Sequence, residues 1–252
     1  MNSPPTPDPV PALPDAVIFD MDGVLVDSNP FHITNWSGYL RKHGAAFDPE
    51  LLPEQILGQR NDDALRSFFG PDLTPEQSQR MGEEIEANFR EIFRPHAKPL
   101  PGLMPLMEEC RRAAVPMAVA SSAMRKNVDL VVETLRLEPY FKVVIDGDQV
   151  SRPKPDPEIY LLAARRLGAE PSRAVAFEDS FVGIKAVHRA GMKCVAIAST
   201  FPLEQLRDET EADWVVRSFE EVSLDRLRLL FQTQGQLLWP PGSRQLIVHS
   251  RK

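Results

Sequence analysis

Residues 16–28 read AVIFDMDGVLVDS, and this stretch decides how the rest of the chain is understood. Val17, Ile18 and Phe19 suit a short buried strand. They run into Asp20, Met21, Asp22 and Gly23, a turn that sets two carboxylates side by side at the strand's carboxyl end. Two such acids repel unless a cation or a positive side chain lies between them, so the turn predicts a metal and an anionic substrate. An Asp-Gly turn that merely ends a strand carries the same letters. The choice between the two depends on what other stretches bring to the same edge.

Working outward, 252 residues suffice for one large domain or for an ordinary domain carrying an insert. A hydrophobic fraction of 42% and a charged fraction of 26% are those of a soluble globular protein, and a net charge of -7 argues against a nucleic-acid surface. Cys110 and Cys194 lie far apart without metal-type spacing and read as buried thiols in a reducing compartment. Residues 1–14 form a proline-rich leader without the apolar centre of a signal peptide. No run approaches the ~20 apolar residues of a membrane span. These features predict a cytoplasmic protein with no membrane or nucleic-acid partner.

Past Ser28 the pattern changes. Through 30–98, Phe31, Trp36, Leu40, Ile56, Leu65, Phe68, Ile85, Phe89 and Phe93 recur at helical intervals, which predicts an all-helical insert. Thr74 is the expected N-cap of a helix running to Phe93, and 94–102 reads as the exit. Beyond it, helices alternate with short apolar runs at 117–120, 143–145, 174–177, 194–198 and 214–216, and a last helix is expected over 224–231. This alternation predicts an α/β fold, a doubly wound parallel sheet with ligands at the strands' carboxyl ends, built from 15–29 and 99–231. Residues 232–252 form a tail with no assigned role.

Such a sheet brings four polar strand ends together: Asp20 and Asp22, Ser121 and Ser122, the loop holding Lys154, and Glu178 with Asp179. Oxygens of Asp20, Glu178 and Asp179, with a backbone carbonyl near Asp22, suit one hard divalent cation, and Mg²⁺ is the natural occupant where phosphate is also a ligand. Lys154 supplies a point charge to carboxylate and phosphate, and Ser121 a hydroxyl donor.

The order and contents of these segments resemble the haloacid dehalogenase superfamily. Residues 20–28 match its first motif, Ser121 its second, Lys154-Pro155 its third, and Glu178-Asp179-Ser180 with Gly183 its fourth. The insert resembles the family's first-type helical cap, and the sequence is similar to the β-phosphoglucomutase and sugar-phosphatase branch. The resemblance implies attack on phosphorus by Asp20 to form an aspartyl phosphate, with Asp22 as acid and then base. It also implies that Lys154 and Mg²⁺ counter anionic repulsion and that Ser121 orients the phosphoryl group. Asp27 reads as a turn residue of structural importance only.

In the cap, His32 and Trp36 share one helical face, and the resemblance places His32 near Asp22. His32, Arg60 and Asn61, together with Ser122, are the expected substrate contacts. Mutases of this branch tend to read Gly-x-Ser-Arg where this chain has Gly58-Gln59-Arg60-Asn61, and Ala123 and Met124 follow Ser121-Ser122, displacing Arg125 and Lys126. Both departures favour a phosphatase acting on a small phosphomonoester, a sugar phosphate above all, over a phosphosugar mutase. A dehalogenase would not need Asp22, Glu178 or Asp179, and a non-catalytic phosphate-binding module would be expected to have lost Asp20 or Asp22. The chain is expected to act as a monomer.

Overall fold

The structure is a computed structural model and describes residues 12–231. Most of the expected leader and all of the 232–252 tail lie outside the described residues. In chain order the elements are β1 (Ala16–Phe19), α1 (Asn29–Lys42), α2 (Leu52–Ile56), α3 (Asn61–Phe69), α4 (Pro75–Phe93), α5 (Leu103–Arg112) and β2 (Met117–Ala120). There follow α6 (Arg125–Thr134), β3 (Phe141–Ile145), α7 (Glu158–Leu167), β4 (Ala174–Glu178), α8 (Phe181–Arg189), β5 (Lys193–Ile197), α9 (Leu203–Glu209), β6 (Trp214–Val216) and α10 (Leu224–Leu229).

The six strands form one parallel sheet in the order β3-β2-β1-β4-β5-β6. Because side chains alternate across a strand, β1 feeds two cores. Val17 and Phe19 join the apolar cluster under α5, α6 and α10, whereas Ala16 and Ile18 join that under α7, α8 and α9. Phe19 stacks on Phe177 of β4 at 5.1 Å, which fixes the two central strands against each other on one face. The chain leaves β1 towards β2 on one side and returns to β4 on the other. The order reverses at β1, and a ligand crevice opens at such a switch point.

The expected strands are present with shifts of a residue or two at their ends; 194–198, for example, is found as Lys193–Ile197. α9 has no counterpart in the sequence reading, because LEQLRDE buries only Leu206 and shows no repeating apolar face.

Between β1 and α5 the chain is an all-helical cap. Trp36, Leu40, Leu52, Ile56, Leu65 and Ile85 make an apolar cluster of their own, while Phe89 and Phe93 at the end of α4 belong to the core under the sheet. α4 is thus both a cap wall and the element that ties the cap to the sheet. Its start is fixed by a capping box: Thr74 Oγ1 accepts from the Gln77 N–H at 3.2 Å, Gln77 Oε1 accepts from the Thr74 N–H at 2.9 Å, and Pro75 occupies the first turn.

Candidate active site

Asp20 follows the last residue of β1, and its N–H donates to the Phe177 carbonyl of β4 at 3.0 Å, so its direction is set by the sheet. Gly23 turns the chain back with φ 73°, and a Cβ there would collide with Asp179 and Asn29. Glycine is required on both counts. Gly183 meets the same limit in the first turn of α8, where a Cβ would strike the Glu178 carboxylate.

Lys154, delivered by the loop after β3, is 4% exposed and lies between two acids. Its Nζ donates to Asp20 Oδ1 at 2.9 Å, to Glu178 Oε1 at 2.5 Å and to the Tyr160 hydroxyl at 3.0 Å. The Tyr160 hydroxyl in turn donates to Glu178 Oε1 at 2.7 Å. Glu178 Oε2 accepts from the Asp179 N–H, the Ser180 N–H and the Ser180 hydroxyl, each at 3.0 Å. Both Glu178 oxygens are therefore satisfied within the protein. Burial resists its charge, but Lys154 and these donors outweigh burial and hold its carboxyl below the usual range. The same balance raises Lys154, where burial is outweighed by Asp20 and Glu178.

Asp179 faces a different environment. Its Oδ2 accepts from Asn29 Nδ2 at 2.9 Å and from the Thr200 hydroxyl, and among the described residues no cation bonds to it directly. Burial, then Glu178 and Asp20, push it well above the ordinary carboxylate range. Asp20 is pushed up to about 7, by burial against the pull of Lys154, with Glu178 and Asp22 adding to the rise. Asp20, Glu178 and Asp179 each offer a carboxylate oxygen within 4.8 Å of the others, and all three are buried. A hard, oxygen-seeking divalent cation fits that donor set, since it supplies the charge that the crowded, desolvated oxygens lack.

Asp22 points elsewhere. Its Oδ1 accepts from the Ser28 hydroxyl at 2.5 Å and lies 3.4 Å from His32 Nε2. Burial opposes its ionisation, but His32 and Ser28 prevail and hold it below the ordinary value. His32 is raised in return, burial being outweighed by Asp22 and then Glu86. The His32 ring lies flat on Phe89 of α4, with centroids 3.7 Å apart, so a cap helix fixes its orientation.

These groups open onto a cavity of about 560 Å³ between cap and sheet. Asp20, Asp22, Asp179, Ser121 and Ser122 line it from the sheet side, and His32, Trp36, Arg60 and Asn61 from the cap side. Lys154 and Glu178 stand behind the sheet-side wall and reach the cavity through Asp20. Ser121 is 1% exposed, and its hydroxyl accepts from the Ala123 N–H at 3.0 Å. Arg60 Nη2 donates to the carbonyls of Gly147 at 2.8 Å and Val150 at 2.9 Å, across the cap–sheet divide. Asn61 Nδ2 donates to Glu86 Oε1 at 2.7 Å. Arg125 pairs with Asp129 at 2.7 Å and lies outside the cavity wall.

The sequence reading did not single out Asn29, Tyr160, Thr200, Glu86 or Asn127, and it gave Ser28 as the end of the first motif and not as a partner of Asp22. Tyr160 gave a signal, six residues beyond Lys154 at the start of a helix; Thr200, in the loop after β5, gave none.

The family model for haloacid dehalogenase-like hydrolases matches residues 17–197, a span holding β2 to β5, all of β1 but Ala16, and every group just described except Thr200. The chain belongs to that family. Within the haloacid dehalogenase-like hydrolases it is 32% identical to validoxylamine A 7'-phosphate phosphatase of Streptomyces hygroscopicus subsp. limoneus, over 81% of this chain and 94% of that protein. It is 28% identical to the β-phosphoglucomutase of Bacillus subtilis, over 84% of this chain and 93% of that one. A crystal structure of a mutant of CbbY from Rhodobacter sphaeroides, in complex with xylulose-(1,5)bisphosphate, superposes with a TM-score of 0.71 at 27% identity, over 83% of this chain and 96% of that one. Among the described residues no helix is long and apolar enough to cross a membrane, and Cys110 and Cys194 are buried free thiols.

Proposed function

We propose that this chain is a Mg²⁺-dependent phosphatase that hydrolyses a small phosphomonoester, a sugar phosphate in kind, through an aspartyl phosphate on Asp20. The observation that carries the reading is the unequal treatment of two neighbouring carboxylates on one cavity wall. Asp20 is held by a buried lysine, whereas Asp22 is held by a serine and a cap histidine. Two acids in different environments suit two roles.

Asp20 attacks phosphorus, the ester P–O bond breaks, and the departing alkoxide takes a proton through Asp22 from the His32 imidazolium, 3.4 Å from the Asp22 carboxylate, a proton that the later water returns by the same route. Asp22 then takes a proton from a water that attacks the aspartyl phosphate, releasing inorganic phosphate and restoring Asp20. Ser121 faces the phosphoryl oxygens, Lys154 acts on them from behind through Asp20, and Ser28 and His32 keep Asp22 aimed at the leaving oxygen. Asp20, Glu178 and Asp179, with the Asp22 main-chain carbonyl, would hold Mg²⁺, and Glu178 also fixes Lys154. The ion supplies charge neutralisation between the attacking carboxylate and the phosphate.

A hydrolase is favoured over a mutase because Arg60, one position before the arginine of the mutase pattern, is already bonded to the Gly147 and Val150 carbonyls. The buried thiols suit a reducing cytoplasm. Phosphate release from a panel of phosphomonoesters, with Mg²⁺ and with chelator, tests the reading beside an Asp20→Asn variant. Release should require Mg²⁺ and fall by at least about 10³-fold in the variant. Release that persists unchanged in Asp20→Asn overturns the covalent route, and isomerisation of a sugar phosphate without net release makes the chain a mutase.

A further inference from the structure

Glu86 is a carboxylate that the chemistry above does not use. It sits on α4, is 5% exposed and lines the cavity from the cap side. Its Oε1 accepts from Asn61 Nδ2 at 2.7 Å and its Oε2 from Asn127 Nδ2 of α6. Both partners are neutral amides, so no ion pair holds it, and His32, which Glu86 helps to raise, is bonded to Asp22 instead. The nearest cation in that network, Arg90, donates to the far end of Asn127 at 2.7 Å and is not part of the cavity wall.

The arginines on the wall do not compensate. Arg60 is turned to the carbonyls of Gly147 and Val150. Arg66 pairs with Asp62 at 3.0 Å and donates to the carbonyls of Pro71 and Leu73, both at 2.9 Å. Asp63, Glu83 and Asp148 add further negative charge to the same wall. Away from the reacting phosphate, the described part of the chamber is an acidic space whose remaining polar groups are amides and hydroxyls, such as Gln59, Asn61 and Ser122.

We propose that this chamber selects a phosphomonoester whose alcohol carries hydroxyls but no second anionic group, with Glu86 as the residue that rejects the second anion. This rests on the phosphatase reading and narrows it. A neutral polyol loses nothing beside Glu86 and gains hydrogen bonds, whereas a second phosphate or a carboxylate meets the Glu86 carboxylate where both wall arginines are bonded elsewhere and His32 is held by Asp22. At an effective dielectric of about 20, a like charge about 6 Å away lowers affinity on the order of 100-fold, enough to set the choice between substrates.

The test compares a hexose 6-phosphate, the corresponding hexose 1,6-bisphosphate and phosphoglycolate as substrates of the full chain with Mg²⁺, reading kcat/KM for each. The wild-type chain should favour the hexose monophosphate by at least about 10-fold over either competitor that carries a second anion. In Glu86→Gln that ratio should shrink by about 10-fold, and in Glu86→Lys the bisphosphate should overtake the monophosphate. Comparable wild-type turnover of the bisphosphate or of phosphoglycolate overturns the proposal even if neither variant folds. A ratio unchanged in a folded Glu86→Gln does so as well. If no ester releases phosphate, the phosphatase reading is what fails. Calorimetric binding of the same two hexose phosphates to the wild-type chain then judges charge selection by the same ratio.

Discussion

The acids at the strand ends and the acid on the cap wall are held in opposite ways. Asp20 and Glu178 share a buried lysine, and Glu178 is further pinned by two backbone N–H groups that belong to its own turn. Glu86 is held by two amide side chains, one on the cap and one on α6. The first arrangement is rigid because the sheet supplies it. The second joins two bodies, and its geometry exists only while cap and sheet face each other. A reacting group needs the former and a group that screens substrates can use the latter, since it must meet the substrate only once the chamber is formed.

The largest break in this comparison comes from the lysine. Lys154→Met leaves Glu178 with its other donors but strips the one cation that the described residues pair with a cluster of three buried acids. Removing one partner of a buried ion pair costs about 3–5 kcal/mol, more than the loss of any single cap contact. Urea unfolding followed by circular dichroism should show that loss, with added Mg²⁺ restoring part of it by binding the native state. A loss under about 1 kcal/mol would mean that the strand-end acids do not depend on Lys154.

Arg60→Ala probes the other side. It removes two charge-assisted hydrogen bonds from cap to sheet without opening a hole in either apolar core. Its weight should fall on chamber formation, so kcat/KM should drop by about 10-fold while the unfolding midpoint shifts little. Steady-state kinetics and thermal melting on one preparation would show the split. Equal damage to stability would make Arg60 a structural strut of the whole fold.

The difference in construction also explains how much could be read beforehand. β1 and β4 announce themselves because an apolar run and the acid that ends it are adjacent in sequence, and a parallel sheet aligns such ends. Asp20, Asp22, Ser121, Glu178 and Asp179 were legible at such ends, whereas Lys154, in the loop past β3, was legible through the third motif of the resemblance. Asn29, by contrast, meets Asp179 across 150 positions, and nothing local marks the pair. Glu86 did leave a trace: Gly82, Glu86, Phe89 and Phe93 share the buried face of α4 at helical spacing, and an acid on that face needs an explanation. Arg60 and Asn61 were legible as positions on the cavity but not as groups with protein partners, because hydrogen bonding between cap and sheet depends on how the two bodies meet.

His32 and Asp22 form the contact in which cap and sheet are both represented by an ionisable group, and pH sharpens the comparison there. Asp22 is held below its ordinary 3.8 and His32 above its ordinary 6.5. A depressed acid stabilises above its unfolded value and loses that stabilisation as pH falls through the depressed one. A raised histidine stabilises below its unfolded value and loses that stabilisation as pH rises through the raised one. The pair is therefore at full strength between about pH 4 and 6.5. At 3.4 Å and with both side chains partly exposed, its contribution should be roughly 1 kcal/mol. The gap in melting temperature between wild type and His32→Gln should be widest in that window and close on the alkaline side. A gap that is constant with pH would assign the effect to the ring's stacking on Phe89 instead.

The smallest expected effect isolates the cap from the chemistry altogether. Thr74 caps α4 at the end remote from Glu86, Phe89 and Phe93, and its side chain is exposed. Thr74→Ala removes one half of the capping box and leaves a backbone donor to water, which costs about 0.5–1 kcal/mol. If the cap wall positions Glu86 only through the helix's buried half, kcat/KM and the ratio between mono- and bisphosphate should be unchanged while the melting temperature falls slightly. A shift in that ratio would show that fraying at the first turn of α4 reaches Glu86. Cap and sheet would then be coupled along the whole helix, not only where Phe89 and Phe93 enter the core.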